Sequence, residues 1–326
     1  MKQELTKRDF LKGLAFGGGA LMATSSLPAL ADDASQFPKR GQWERLAVSI
    51  VHLKVGAEKP FAVIHASDTH LTEAYPHEPH FVRNHAAART QTFGGRQQEA
   101  LRDTLEYARL HADYLVHTGD LIDFQSEKNL DLVKMYFGTG ALQASMGNHE
   151  FETVGEKGLV YRRTEEFKDQ LRPKLAAAYP QDPGFAAQTV HGVTFVTLDD
   201  VFGTVTERQV ALFKAEAAKG RPIILCMHVP FHSPMCWKVT RTYWDFGRNQ
   251  YGRRDYDDGR EGGDRWNQLN EPVTRDFIAY LKGEKLLRGI LTGHEHFHYD
   301  EEFSPTARQV IAPGNYLFAA NLVCID

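Results

Sequence analysis

The chain has 326 residues, 42% of them hydrophobic and 25% charged, with a formal net charge of −4. That is the composition of an ordinary globular protein with a sizeable core, in one large domain or two small ones. Residues 1 to 31 carry four basic and two acidic side chains, so the rest of the chain stands at about −6, without the basic excess a nucleic-acid backbone demands, and three cysteines are too few for a disulfide scaffold.

The N-terminus reads as an export signal. A polar, basic start leads into an apolar Gly/Ala-rich stretch from Gly13 to Leu27, and Ala29-Leu30-Ala31 fits a cleavage site before Asp32. Within it, Thr6-Lys7-Arg8-Asp9-Phe10-Leu11-Lys12 resembles the twin-arginine signal with lysine at the first arginine. The expected location is therefore periplasmic or extracellular. No later run of apolar residues is long enough to span a membrane.

Residues 32 to 43, with Pro38 and Gly41, read as a linker, and 44 to 326 as the functional domain. From there apolar runs alternate with helix-period segments, the signature of a layered α/β domain. Strands are expected at 45–53, 61–66, 113–118, 141–146, 193–198, 222–227 and 287–292, with more within 307–325. Helices are expected at 95–110, 126–137, 160–172, 206–218 and 272–283. Two segments, 71–94 and 230–270, break the alternation. Both are rich in His, Arg and aromatic residues and read as long insertions over a functional face.

The chemistry sits where strands end. Phe61 to Ile64 runs toward Asp68-Thr69-His70, Tyr114 to Val116 toward Asp120 and Asp123, and Leu142 to Met146 into Gly147-Asn148-His149-Glu150. Ile223 to Leu225 leads to His228, and Gly289 to Leu291 to Gly293-His294-Glu295-His296. The carboxyl ends of strands in an α/β sheet share one rim, so these turns can converge. Asp, Asn and His form a mixed oxygen and nitrogen donor set that suits Mn, Fe, Zn or Mg better than a thiolate zinc site. Seven donors exceed the needs of one structural zinc, and two metals roughly 3.5 to 4 Å apart are the natural count. Taken singly, Asp68 reads as well as a helix cap, Asn148 as a turn residue and His228 as a core histidine; it is their joint placement that argues for a site. Glycines 119, 147 and 293 precede ligands and are expected to permit tight turns.

In this order the motifs resemble those of the calcineurin-like metallophosphoesterases: Asp68-x-His70, Gly119-Asp120-x-x-Asp123, Gly147-Asn148-His149-Glu150, the lone His228 and Gly293-His294-x-His296. The resemblance covers about residues 45 to 326. It implies a four-layer αββα sandwich of two mixed sheets, with one metal on Asp68, His70, Asp120 and His296 and a second on Asp120, Asn148, His228 and His294. It further implies a hydroxide between the metals that attacks phosphorus, His149 as the general acid or phosphate-stabilising group, and Asp123 as the group that orients His149. Phe124 stands where the protein-phosphatase branch has a phosphate-binding arginine, which points away from phosphoproteins to a small phosphate ester.

The run Gly147 to Glu152 also looks like the 5′-nucleotidase motif. With thirty residues after His296, the substrate domain those enzymes carry is not expected. A metal-retaining module without catalysis is the competing reading. Among the other histidines, His65 is expected to be structural, His77, His80 and His85 to be solvated, and His232 and His298 to be secondary candidates for substrate contact. Cys226 is expected to be a small core residue, with a bond to Cys236 the lesser alternative.

Overall fold

In a computed structural model, residues 45–137, 143–245 and 268–326 are described. The expected export signal and linker, residues 138–142, which include the start of the strand predicted for 141–146, and residues 246–267 of the second insertion lie outside the described residues. The elements in chain order are β1 (Ala47–Leu53), β2 (Phe61–Ala66), α1 (His80–Thr92), α2 (Gln97–His111), β3 (Tyr114–Thr118), α3 (Glu127–Phe137), β4 (Gln143–Ser145), β5 (Thr153–Gly155) and β6 (Gly158–Val160). They continue with α4 (Glu165–Ala176), β7 (Phe185–Val190), β8 (Val193–Leu198), α5 (Glu207–Ala217), β9 (Ile223–Cys226), α6 (Pro234–Asp245), α7 (Pro272–Gly283), β10 (Leu287–Thr292), β11 (Tyr299–Ser304), β12 (Ala307–Ile311) and β13 (Ala319–Ile325).

Two mixed sheets result. One has five strands in the order β1-β13-β2-β3-β4, antiparallel only where β13 meets β2. The other has six, β11-β12-β10-β9-β8-β7, parallel in its centre and closed at each edge by an antiparallel strand. Strands buried on both faces need apolar residues at successive positions, and Val63-Ile64, Leu115-Val116, Ile223-Ile224-Leu225 and Ile290-Leu291 supply them. The sheets face each other over one continuous core that joins Ile64, Val116, Phe195, Ile224 and Leu291. A second core, with Val196, Phe213, Ile223, Phe277 and Leu281, packs α5 and α7 on the outside of the six-stranded sheet. Helix α2 covers the other sheet, with Ala100, Leu101, Thr104 and Ala108 on its buried face. The architecture is the expected αββα sandwich.

Every predicted strand and helix forms, with ends moved by a few residues. The insertions are the exception. Each contains a helix, α1 in the first and α6 in the second, so neither is a plain loop. Two edge strands, β7 and β11, also escaped the reading; β11 is Tyr-Asp-Glu-Glu-Phe-Ser, whose charges suit an exposed sheet edge and hide its period.

Candidate metal centre

Parallel strands place their carboxyl ends on one side, and backbone pairing locks the turns that follow. The N–H of Asp68 donates to Gly119 O (2.9 Å), that of His70 to Asp120 O (2.9 Å), and that of Gly293 to His228 O (2.9 Å). Across the gap between the sheets, His294 N–H donates to Asp68 Oδ2 (3.0 Å) and His228 Nδ1 donates to Thr118 O (2.7 Å). The two sheets thus meet at the ligands themselves.

The turns are tighter than glycine alone explains. Asp68, His70, Asp120, His294 and His296 all adopt left-handed backbone, with φ between 52° and 70°, although they carry side chains that disfavour it. Strain of this kind persists only where surrounding structure holds it, and it gathers at functional sites. Gly119 fits the expectation of a conformational role, with φ +94°. Gly147 and Gly293 do not. They are there for room, because a Cβ at Gly147 would strike Asp120 and one at Gly293 would strike Ser67 and Asp68.

The side chains then converge in three groups, two that share Asp120 and a third of His70, Asp123 and His149. Asp68, His70, Asp120 and His296 offer ligand atoms within 4.8 Å of one another, and so do Asp120, His228 and His294. Asn148 carries its Oδ1 buried with no hydrogen-bond donor. Two deep carboxylates that the sequence reading left unassigned hold this rim. Glu150 accepts N–H bonds from Asp120 (2.9 Å), Leu121 (2.9 Å), Ile122 (3.2 Å) and Gly147 (2.6 Å) and a bond from the Tyr179 hydroxyl (2.7 Å). Asp200 does the same for His228 and Val229.

The donor set demands positive charge. His228 Nδ1–H is spent on Thr118 O, which turns Nε2 toward Asp120 Oδ2 at 3.2 Å. His70 Nδ1–H is spent on Asp123 Oδ1 at 3.0 Å, so its Nε2 meets His296 Nε2 at 3.3 Å with the lone pair outward. His294 Nδ1 lies 3.1 Å from His228 Nε2. Burial opposes charge on His228, yet Asp120 and Asp68 push it up to about 10. Burial likewise opposes ionisation of Asp120, yet His228, His149 and His70 hold its carboxyl well below the usual range. A proton relieves one such contact at a time, whereas a cation in each of the two groups that share Asp120 relieves them all. The residues fit two metals.

A family model, described as calcineurin-like phosphoesterase, matches residues 61–298. The chain belongs to that family. As a metallophosphoesterase it is a hydrolase. No curated protein matches the chain. Similar solved structures include a dimetal phosphatase from Danio rerio, at 14% identity over 78% of this chain and 88% of that one, TM-score 0.48. Others are the phosphopantetheinyl hydrolase of Mycobacterium tuberculosis, at 13% identity over 79% and 91%, TM-score 0.39, and a 5′-nucleotidase from Candida albicans, at 13% over 86% and 47%, TM-score 0.38. This chain spans about half the length of that nucleotidase.

Within the metallophosphoesterase site, His149 stands at the mouth with 19% of its side chain exposed. Its Nδ1 contacts Glu152 Oε2 and Asp123 O, each at 3.0 Å, and its N–H donates to Asp120 Oδ1 at 2.9 Å. Burial disfavours the imidazolium, but Asp120, Glu152 and Asp123 together raise its pKa well above the ordinary histidine value.

Asp123 is shared between two histidines. Its carboxylate is occupied by His70 and by the fork of Arg89, at 2.6 Å from Nε and 2.8 Å from Nη2. Its oxygen is 3.5 Å from His149 Nδ1, so what it offers that histidine directly is its carbonyl. Glu152 is the carboxylate in hydrogen-bond range. Arg89 comes from α1, and the one signal for it was an arginine in an insertion flagged as functional.

Of the other histidines, His85 departs from expectation: it is not solvated, and its Nε2 is buried without a hydrogen-bond partner among the described residues. His65 is buried between Thr118 Oγ1 (2.9 Å) and Asn321 Nδ2 (3.4 Å) and is structural. His77 pairs with Glu127 on the surface and His85 packs on Phe124, and among the described residues neither joins a metal cluster. His298 is held by Asn321 at 2.9 Å. Cys226 and Cys236 are buried and free, so the alternative of a disulfide falls.

Proposed function

We propose that the chain hydrolyses a small phosphate ester, mono- or diester, with one metal on Asp68, His70, Asp120 and His296 and the other on Asp120, Asn148, His228 and His294. The observation that carries this reading is the meeting of His228 Nε2 with Asp120 Oδ2, and the donorless, buried Asn148 Oδ1 adds to it. Mn, Fe and Zn all suit such ligands. When bound, the cations would supply Lewis acidity and a water acidic enough to serve as nucleophile at neutral pH.

The protein's own residues do the rest. Asp120 ties the two groups together, and its second oxygen fixes the backbone of His149. His149, kept protonated by Asp120, Glu152 and Asp123, is the general acid for the departing alkoxide. Arg89 and Asp123 orient His70 through its Nδ1. The export signal at residues 1 to 31 supports a periplasmic or extracellular enzyme, and the acidic remainder supports a small-molecule substrate over nucleic acid.

The test is hydrolysis of p-nitrophenyl phosphate and bis-p-nitrophenyl phosphate with Mn and with chelator, alongside metal analysis. Asp120→Ala is expected to lose bound metal and all turnover. His149→Ala is expected to keep its metal and lose about 10²- to 10⁴-fold in kcat. Metal-loaded protein that turns over neither ester would refute hydrolysis, and equal metal loss in both variants would refute the acid role.

A further inference from the structure

Beside His296 the surface opens into a cavity of about 660 Å³ between α6 and Tyr316. Met235, Lys238, Val239 and Tyr243 line it from one side of α6 at helical spacing, and Trp244 and Tyr316 close the end nearest the ligands. The helix is anchored by its other side, where Cys236 packs with Phe297 and Ile311. Met235 and Tyr243 remain 54% and 39% exposed, a large apolar outlay for surface positions.

Adjacency to the candidate metal centre points to the occupant. The Trp244 ring lies 5.2 Å from the His296 ring at 66°, and the Tyr316 ring lies 5.4 Å from it at 75°. The Tyr316 hydroxyl is 3.2 Å from His296 Nδ1. An ester whose phosphorus sits at the ligand cluster therefore extends its organic group along these rings. Tyr243 and Trp244 meet edge to face at 5.2 Å and 88°, so the lining carries rings in two orientations. Among the described residues Lys238 is the one charged side chain of the lining and none is an acid, which suits the approach of a phosphate anion.

We infer that this groove binds the organic group of the substrate and selects a flat aromatic one. The inference rests on the proposed hydrolysis for its orientation, while the recognition is a property of the groove. Four surfaces lining it (Met235, Val239, Tyr243, Trp244) are apolar or aromatic, and stacking tolerates any ring.

Two probe pairs separate the two claims. 2-Phenylethyl phosphate and ethyl phosphate, with leaving alcohols of similar basicity, are offered as monoesters and as methyl diesters. The matching phosphonates, which cannot be hydrolysed, are titrated by calorimetry into metal-loaded full-length protein. The aryl member is expected to show a KM and a Kd about tenfold lower, with similar kcat. The surface change Met235→Glu is expected to erase most of that preference and leave ethyl phosphate unaffected, and Trp244→Ala is expected to erase it while also disturbing His296. Equal constants for the aryl and ethyl members, or a preference that survives in both folded variants, would overturn the inference. Turnover without aryl preference sinks the groove alone. Aryl-selective phosphonate binding without turnover of any ester sinks the hydrolase reading and keeps the groove.

Discussion

Helices α1 and α6 both lie outside the regular alternation of strand and helix, and both border the same ligands, yet they act on them by different means. Helix α1 reaches inward with one charge: Arg89, 29% exposed, closes a fork on the fully buried Asp123 and so fixes His70. Its buried apolar share is small, Val82 and Ala86. Helix α6 instead presents rings to His296 and sets Lys238 in the groove beside it. The difference teaches that an insertion can serve a metal centre through ligand electrostatics or through the shape of the space beside it. The two should separate cleanly by experiment.

Acid gives the largest effect and isolates the inner region. Burial depresses His65 and His117 to about 3. Both are neutral in the fold, each supported by a threonine hydroxyl. A histidine whose folded pKa lies below its unfolded value of about 6.5 contributes stability that is complete above that value and is lost as pH falls toward the folded pKa. Denaturant titrations are therefore expected to show stability dropping by several kcal/mol between about pH 6.5 and 3. Helix α6 has no histidine to add to this slope. His65→Asn should flatten it, and an unchanged slope would place the acid sensitivity elsewhere.

Arg89→Ala comes next. Removing the fork leaves the Asp123 charge buried and loosens His70, so metal affinity and kcat should each fall about 10- to 100-fold for every ester. The aryl-to-ethyl KM ratio should not move. A change in that ratio would merge the two regions into one. Arg89→Lys should recover little, because an ammonium cannot bridge both carboxylate oxygens in the same plane.

Tyr316→Phe is the smallest and finest test, since Tyr316 belongs to both regions. Loss of the hydroxyl from His296 Nδ1 should weaken metal binding by at most about tenfold, and the retained ring should keep the aryl preference. Loss of preference with metal binding intact would mean that the hydroxyl, not the ring, reads the substrate.

The same contrast explains what the sequence revealed. The ligand turns were legible because each follows an apolar strand within a few residues: Ile64 to Asp68, Val116 to Asp120, Leu225 to His228 and Leu291 to His294. Local pattern carries such facts. Arg89 and Asp123 are 34 positions apart, and no periodicity links them. Helix α1, His-Phe-Val-Arg-Asn-His-Ala-Ala-Ala-Arg-Thr-Gln-Thr, has no continuous apolar stripe, and α6 divides its apolar residues between an anchored side and an open one. Glu150 was visible as a motif letter, but that its carboxylate collects four backbone N–H groups follows only from the third dimension.

The left-handed backbone at Asp68, His70, Asp120, His294 and His296 bears on how this protein can evolve. Selection for stability alone would favour glycine at all five positions, where it removes a conformational penalty of about 1 kcal/mol or more each. Every such change would also delete a ligand. Random drift toward greater stability is thus drift away from the metal centre, so a lineage that ceases to use the chemistry should lose these five side chains early while its sheets persist.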